Sequence, residues 1–303
     1  MPDHRVTSRP LRGLCPSIAR PASVMLGLSA VAAVLLPIGA AIAAPPIPAS
    51  SATPAVPAAP EGRMVSYEAH DEKVDAYLVR PAAPGFHAGV VVIHEWWGLN
   101  GQIKGVADRL ARIGYIAIVP DLYRGKVASE PDLAHELMRG LNEDRAVALV
   151  KGAADYLRRL DHAPNRPVGT IGFCMGGRLS LAAALKGGDL QAAAMFYGSV
   201  ETTKEAVAPL VCPLLGLFGR DDRGISEDDV KKFESALKEA GKSARIVVYP
   251  GAGHAFFNET RPSYDKEAAQ DAWANLQDFL AENLRTGLKP GASKPSVPVP
   301  PVR

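Results

Sequence analysis

The residues with the clearest chemical potential lie in the segment Gly172-Phe173-Cys174-Met175-Gly176-Gly177. The segment follows the apolar run 168–171 and opens an alanine-rich stretch with helical periodicity. Strand, glycine turn and helix in this order are typical of a nucleophile elbow, a strained turn that exposes an attacking side chain above a sheet. The pattern predicts Cys174 as the nucleophile, with the positive end of a helix that begins at Met175 directed at its sulfur. The alternative is an unreactive buried cysteine in a tight turn.

Two further groups could ionise this thiol, and each follows a later strand-like run. Asp221 and Asp222 follow the run 213–218, and His254 follows the run 245–249. Reactive groups in an open parallel sheet gather beyond the carboxyl ends of its strands, and nucleophile, acid, histidine is the chain order of α/β-hydrolases. We therefore expect His254 to take the thiol proton, with Asp222 or Asp221 orienting the imidazole. Taken singly, the histidine also fits a surface residue and the aspartates a helix cap.

The loop after the third strand-like run reads His94-Glu95-Trp96-Trp97-Gly98. No second histidine follows at the spacing of a zinc-binding helix, so we predict no metal there. Glu95 ends a buried strand among aromatic residues, which should raise its proton affinity and makes it a candidate partner of the thiol. A rim residue bound to solvent is the alternative. The backbone N–H groups of Trp96 and Met175 are the predicted oxyanion hole.

The order of elements predicts an α/β-hydrolase fold, a doubly wound, mostly parallel eight-stranded sheet with helices on both faces. From the third strand onward the apolar runs are continuous, which indicates burial on both faces and parallel pairing. The first two alternate and predict an antiparallel edge hairpin. Strands are predicted at 64–69, 74–79, 89–93, 115–119, 168–171, 192–196, 213–218 and 245–249. Helices are predicted at 103–113, 131–160, 177–185, 227–240 and 264–284.

The chain of 303 residues, 47% of them hydrophobic, is predicted to form one large domain with segments of other composition at its ends. Residues 1–43 combine arginines, an uncharged stretch and the small residues of a cleavage site, and predict a secretion signal peptide. A membrane anchor is the alternative, because the stretch approaches the ~20 apolar residues that span a bilayer. Residues 44–63 are a Pro/Ala-rich linker, 64–285 the α/β-hydrolase domain and 286–303 a Pro-rich disordered tail. We expect an exported protein, periplasmic or secreted.

The net charge and the cysteine content indicate which classes of binding partner and which cysteine chemistry to expect. A formal net charge of +2 suggests neither nucleic acid nor an anionic membrane surface as a partner, and favours a small-molecule substrate. Cys15 would leave with the signal peptide, and Cys212 opens an apolar run typical of the core. We predict a free Cys174 thiol, a monomer, no cofactor, and contact with a membrane only if the N-terminal segment is retained.

At this point the chain resembles a known family, the dienelactone hydrolases of the α/β-hydrolase superfamily, from about residue 64 to residue 284. The matching segments are 91–98, Pro120-Asp121-Leu122-Tyr123, 172–177, 219–226 and 251–256. The resemblance implies a catalytic triad of Cys174, Asp222 and His254, with Asp222 preferred over Asp221 by the loop pattern. It also implies that Glu95 holds the resting thiol and helps to ionise it when an anionic substrate enters.

The chain departs from the family at the substrate-binding arginine that follows the catalytic histidine. Phe257-Asn258 stand there, with Arg261 a little further on. Arg124 is a candidate replacement, although it also fits a solvated surface. Trp96, Trp97, Phe256 and Phe257 indicate an aromatic pocket, with core packing as the alternative. The predicted substrate-binding residues are Trp97, Tyr123, Arg124 and Phe256.

These observations predict an enzyme, a carboxymethylenebutenolidase-type hydrolase of carboxylic esters or lactones that works through a cysteinyl acyl-enzyme. A broad-specificity carboxylesterase is one alternative. A non-catalytic protein that binds an envelope ligand or senses oxidants on a hydrolase scaffold is another.

Overall fold

A computed structural model describes residues 60–284, so the predicted signal peptide, most of the linker and the tail lie outside the described residues. Eight strands form one sheet in the order β1-β2-β4-β3-β5-β6-β7-β8. The strands are β1 (Gly62–Ala69), β2 (Glu72–Val79), β3 (Gly89–Ile93), β4 (Ile116–Pro120), β5 (Val168–Phe173), β6 (Ala192–Phe196), β7 (Leu214–Gly219) and β8 (Ala244–Tyr249). The α/β-hydrolase fold is confirmed, and β1 begins at Gly62 rather than at residue 64.

Strand pairing follows the hydrophobic pattern. β1 and β2 form the predicted antiparallel edge hairpin, β2 continues antiparallel onto β4, and all later pairs are parallel. Every residue of β3 to β7 is buried, as expected for strands between two helix layers. The expectation of full burial is wrong for β8, which is largely half-buried because it ends the sheet and has one neighbouring strand only.

Seven α-helices lie in the described part of the chain. They are α1 (Gly101–Arg112), α2 (Pro131–Arg139), α3 (Glu143–Arg159), α4 (Met175–Leu185), α5 (Lys204–Val207), α6 (Glu227–Glu239) and α7 (Lys266–Leu284). The single predicted helix 131–160 is wrong: the chain turns after Gly140, and the Asn142 side chain caps α3 by accepting the Arg145 N–H at 2.9 Å. α5 was not predicted, because one helical turn is too short to show a period.

The core has two layers, one on each face of the sheet. α3, α4 and α6 pack on one face and α1 and α7 on the other. Successive β3 residues alternate between the layers, Val91 facing the first and Val90 and Val92 the second. Cys212 is buried in the first layer, which confirms its prediction as a core residue. None of the helices between residues 60 and 284 is long and apolar enough to cross a bilayer.

Candidate active site

Cys174 lies at a sharp turn between β5 and α4. Its φ of 54° and ψ of −118° are strained for a residue with a side chain. The flanking glycines make the turn sterically feasible, because a Cβ at Gly172 would clash with the carbonyl oxygen of Gly176 and a Cβ at Gly176 with that of Ile93. The local sequence therefore produces the exposed turn that the elbow motif predicts, and α4 begins at Met175, the residue after Cys174.

The loop after β8 places the imidazole of His254 near this thiol, and the loop after β7 places the carboxylate of Asp222 beside that imidazole. His254 Nδ1 lies 2.7 Å from Asp222 Oδ2, and the imidazole is close enough to Cys174 for the thiol to influence its pKa. The other oxygen of Asp222 accepts the backbone N–H groups of Gly224 at 2.8 Å and Ile225 at 3.2 Å. The three side chains thus lie together at one place, with a hydrogen bond between Asp222 and His254, although they come from three separate strand ends.

The same contacts set the charge of the imidazole. Burial alone would lower the pKa of His254, but the hydrogen bond to Asp222 and the electrostatic interactions with Cys174 and Asp222 outweigh it and raise the pKa to about 10. Burial raises the pKa of Asp222, but the hydrogen bond and charge of His254, with the two backbone N–H groups, lower it overall. The imidazole therefore favours its charged form at neutral pH, which is the form that stabilises a neighbouring thiolate.

The choice between the two aspartates follows from their side-chain directions. The Asp222 side chain is buried against His254, whereas the Asp221 side chain is 58% exposed and lies 3.6 Å from the Arg220 guanidinium. The structure therefore joins Asp222 to the imidazole, as the family resemblance implies.

Two backbone N–H groups of the predicted oxyanion hole have no acceptor. Within residues 60–284, neither the Trp96 N–H nor the Met175 N–H donates a hydrogen bond. Met175 is the first residue of α4, so its N–H has no partner inside the helix. The two segments approach each other because Gly176 has no side chain to separate α4 from the end of β3.

Glu95 is buried, which excludes the rim interpretation. One carboxylate oxygen accepts the Tyr197 hydroxyl at 2.9 Å and the other accepts the Asn258 amide at 2.8 Å. Burial raises the pKa of Glu95, opposed by these two hydrogen bonds and by the charges of His254 and Arg261. No hydrogen bond joins Glu95 to Cys174 in the described residues, so its role toward the thiol stays a prediction.

Tyr197 and Asn258 were not predicted as site residues. Tyr197 directly follows β6, a strand end that the triad pattern gives no reason to inspect. Asn258 stands where the family resemblance implies an arginine, so this departure from the resemblance could have drawn attention to the position. The Asn258 amide does not neutralise a negative charge, but it donates a hydrogen bond to the buried Glu95 carboxylate.

Of the predicted substrate-binding residues, Tyr123 lies beside the elbow and Trp97 lies in the loop that follows Glu95. The Tyr123 hydroxyl lies 3.2 Å from Met175 Sδ, and burial and the charge of Cys174 both raise the pKa of this tyrosine. Trp97 is buried, with the Arg261 guanidinium 3.6 Å from its ring centroid. The Arg261 Nε is buried without a hydrogen-bond partner, and the guanidinium forms no ion pair with any residue that the structure describes.

The other two do not lie at the site. Arg124 forms an ion pair with Glu72 at 2.9 Å, and its side chain is 71% exposed, so the structure gives this cation a protein partner on the surface. Phe256 is fully buried and packs against Tyr197 and Tyr249, which makes it a core residue rather than a pocket wall. Phe257 is likewise buried in the core.

Metal ligands do not assemble anywhere between residues 60 and 284: no three His, Cys, Asp or Glu side chains are grouped so that they could hold an ion. Cys174 and Cys212 are both unpaired. Burial raises the pKa of the Cys212 thiol to about 11, so Cys174 is the more reactive of the two by position and environment.

Comparison with known proteins points to one family. The sequence profile of the dienelactone hydrolase family matches residues 74–284. The protein usf of Aquifex pyrophilus is 37% identical over 231 residues, covering 74% of this chain and 99% of that protein. A Methylorubrum extorquens protein with the assigned name carboxymethylenebutenolidase is 32% identical over 232 residues, covering 72% of this chain and 80% of that protein.

Solved structures agree with this match. A Klebsiella pneumoniae protein assigned as a dienelactone hydrolase has a TM-score of 0.69 and 32% identity, covering 74% of this chain and 100% of that one. The dienelactone hydrolase of Anabaena variabilis has a TM-score of 0.58 and 22% identity over 75% of this chain and 100% of that one. The second likeness concerns the fold alone.

Proposed function

This chain belongs to the dienelactone hydrolase family of ester and lactone hydrolases, and we propose that it acts through a Cys174-His254-Asp222 triad and a covalent acyl-enzyme. The observation that carries the proposal is the hydrogen bond from Asp222 to His254, whose imidazole lies within interaction range of a thiol on a strained elbow. Nucleophile, base and orienting acid in this geometry are what acyl transfer requires.

In the acylation step the Cys174 thiolate attacks the carbonyl carbon, and the carbonyl oxygen becomes an oxyanion between the free N–H groups of Trp96 and Met175. His254 then gives its proton to the leaving oxygen as the C–O bond breaks, which releases an alcohol and leaves a thioester on Cys174. In a lactone the leaving oxygen stays attached to the acyl group.

Deacylation reverses these roles. Neutral His254 takes a proton from water while the water oxygen attacks the thioester carbonyl, and the C–S bond breaks to release the acid and restore the thiolate. Asp222 holds the imidazole in one tautomer through both steps.

Arg261 favours substrates that carry a carboxylate. Its guanidinium carbon lies 3.6 Å from the centroid of the Trp97 ring, within electrostatic range of Glu95, and the guanidinium has no ion-pair partner among residues 60–284. A cation held over an aromatic ring near Glu95 can bind the carboxylate of an anionic ester or lactone. We assign to Arg261 the part that the sequence suggested for Arg124.

The first experiment compares wild type, Cys174→Ala and His254→Ala on a short-chain aryl ester and on a dienelactone. We expect both variants to lose about 10³-fold or more in kcat, as triads do elsewhere. Mass spectrometry of wild type quenched during turnover should show the acyl group on Cys174. Equal turnover by all three proteins would refute the triad and favour a non-catalytic protein on a hydrolase scaffold.

We also propose that the protein is exported, on the composition of residues 1–43. Fractionation of cells that express the full chain, with mass spectrometry of the mature N-terminus, tests this separately. A mature chain that begins near residue 44 outside the cytoplasm is expected, and a chain that keeps residues 1–43 in the membrane would show that the segment is an anchor.

A further inference from the structure

His94 is a fully buried imidazole directly after β3, and the acyl-transfer steps do not use it. Its Nδ1 lies 2.6 Å from the Glu95 carbonyl oxygen, and its Nε2 lies 3.3 Å from the Leu122 backbone nitrogen. The Leu122 N–H can only donate, so Nε2 must be the bare acceptor. Nδ1 therefore carries the hydrogen and donates it to the Glu95 carbonyl.

This hydrogen bond acts on the peptide unit that contains one oxyanion-hole donor. The Glu95 carbonyl and the Trp96 N–H belong to the same planar trans peptide, so they point in opposite directions. Holding the carbonyl therefore fixes the direction of the N–H. The Gly98 N–H also donates to the Glu95 carbonyl, at 3.2 Å, but the shorter contact is the one from His94.

The second ring nitrogen connects this peptide to another part of the site. Leu122, whose N–H the imidazole accepts, directly precedes Tyr123, and the His94 and Tyr123 rings lie 5.0 Å apart. Tyr123 in turn contacts Met175, which holds the second predicted oxyanion donor. One neutral imidazole thus links the loops after β3 and β4 at the point where both border the elbow.

We propose that His94 is a positioning residue, whose Nδ1–H holds the Glu95–Trp96 peptide so that the Trp96 N–H points at the oxyanion. The role rests on the proposed acyl transfer and extends it to a residue outside the triad. Neutral His94 is the required form, and burial favours it by lowering the pKa of the ring. Simple filling of core space is the competing explanation, and it gives no preference between the two ring nitrogens.

Two substitutions separate these explanations, because each keeps one of the two hydrogen bonds. In His94→Asn the side-chain amide nitrogen takes the place of Nδ1 and can donate to the Glu95 carbonyl, while the bond to Leu122 is lost. In His94→Gln the side-chain oxygen takes the place of Nε2 and can accept from Leu122, while the donor to Glu95 is lost. Each variant loses one neutral hydrogen bond, so their thermal stabilities should fall by similar amounts.

We expect His94→Asn to keep kcat for an aryl ester within about 3-fold of wild type. His94→Gln should lose about 10- to 100-fold in kcat with KM little changed, less than the ~10²–10³-fold loss for deleting a whole oxyanion donor. Alkylation of Cys174 by iodoacetamide develops no oxyanion and should proceed at one rate in all three proteins. Equal kcat losses in the two variants, or the larger loss in His94→Asn, would overturn the role.

A measurement on wild type keeps the inference testable if the variants fold poorly. The ¹⁵N shifts of labelled histidine at pH 7 should show His94 as the neutral tautomer with hydrogen on Nδ1, and hydrogen on Nε2 would overturn the proposal. The two proposals also fail differently. If neither wild type nor Cys174→Ala turned over an ester, the proposed function would be overturned and this role with it. If wild type were active and the His94→Asn and His94→Gln variants had equal kcat values, only the His94 role would be overturned.

Discussion

Replacing Asp222 with asparagine should abolish most activity while leaving the elbow and its loop in place. In wild type one carboxylate oxygen accepts two backbone N–H groups and the other faces His254 Nδ1 at 2.7 Å. The asparagine oxygen will keep the backbone hydrogen bonds, which leaves its NH₂ group facing the imidazole. Two donors cannot share that contact, so the ring must place its hydrogen on the nitrogen that faces Cys174 and can no longer accept the thiol proton.

The expected loss follows from this change of tautomer. We predict a fall in kcat of about 10³–10⁴-fold, which corresponds to ~4–5 kcal/mol of transition-state stabilisation at about 1.36 kcal/mol per factor of ten. The loss of folding stability should be much smaller, about 1 kcal/mol, because the backbone hydrogen bonds remain and the His254 side chain is 41% exposed to screening solvent.

Aryl-ester turnover and chemical denaturation of wild type, Asp222→Asn and Asp221→Asn test this prediction. Asp221 is the matched control, since it is the adjacent residue with the same chemistry but an exposed side chain directed at Arg220. Asp221→Asn should stay within about 2-fold of wild type. An Asp222→Asn enzyme within about 10-fold of wild type, or equal losses in both variants, would refute the assignment of the triad acid.

Four further results are expected. Gly176→Ala should lose about 1–3 kcal/mol of stability by thermal unfolding and most activity, because the new methyl group meets the Ile93 carbonyl. As a control, Gly105→Ala should have a neutral or slightly stabilising effect, because nothing lies within 4 Å of a Cβ at that position. Activity should fall as pH rises through about 10, because His254 then loses the proton that the leaving oxygen needs. His254 should contribute its full stabilisation below pH ~6.5, because its pKa is raised in the folded protein, and this contribution should be lost as pH rises through about 10. The free energies of unfolding of wild type and His254→Gln, measured by denaturation, should therefore become equal above pH 10. Arg261→Met should raise KM about 10-fold or more for a carboxylate-bearing ester and leave a neutral ester unaffected, and equal effects on both esters would remove the anion-binding role.

Much of the fold and part of the site could be predicted from the sequence, because both depend on local patterns. Continuous apolar runs identified the parallel strands, and glycines around Cys174 identified the elbow. Since reactive loops follow strand ends in this topology, His254 could be placed near Cys174 without any long-range information.

The rest depends on directions and partners that local patterns do not encode. Asp221 and Asp222 are chemically identical neighbours, so the residues themselves left the choice open; the family resemblance favoured Asp222, and the loop geometry shows that Asp222 is the buried one. The hydrogen bonds of Tyr197 and Asn258 to Glu95 join positions far apart in the chain. Phe256 was misplaced because an aromatic residue beside a catalytic loop has the same sequence pattern whether it lines a pocket or packs in the core.

The site is completed late during synthesis, because its imidazole is delivered by the loop after the last strand. β8 joins the sheet only through β7, as its outermost parallel strand. A ribosome-bound chain that ends before β8 contains Cys174 and Asp222 of the proposed triad but lacks His254. If His254 is the base of the proposed triad, a chain truncated before β8 would be inactive until this last strand and its loop have docked.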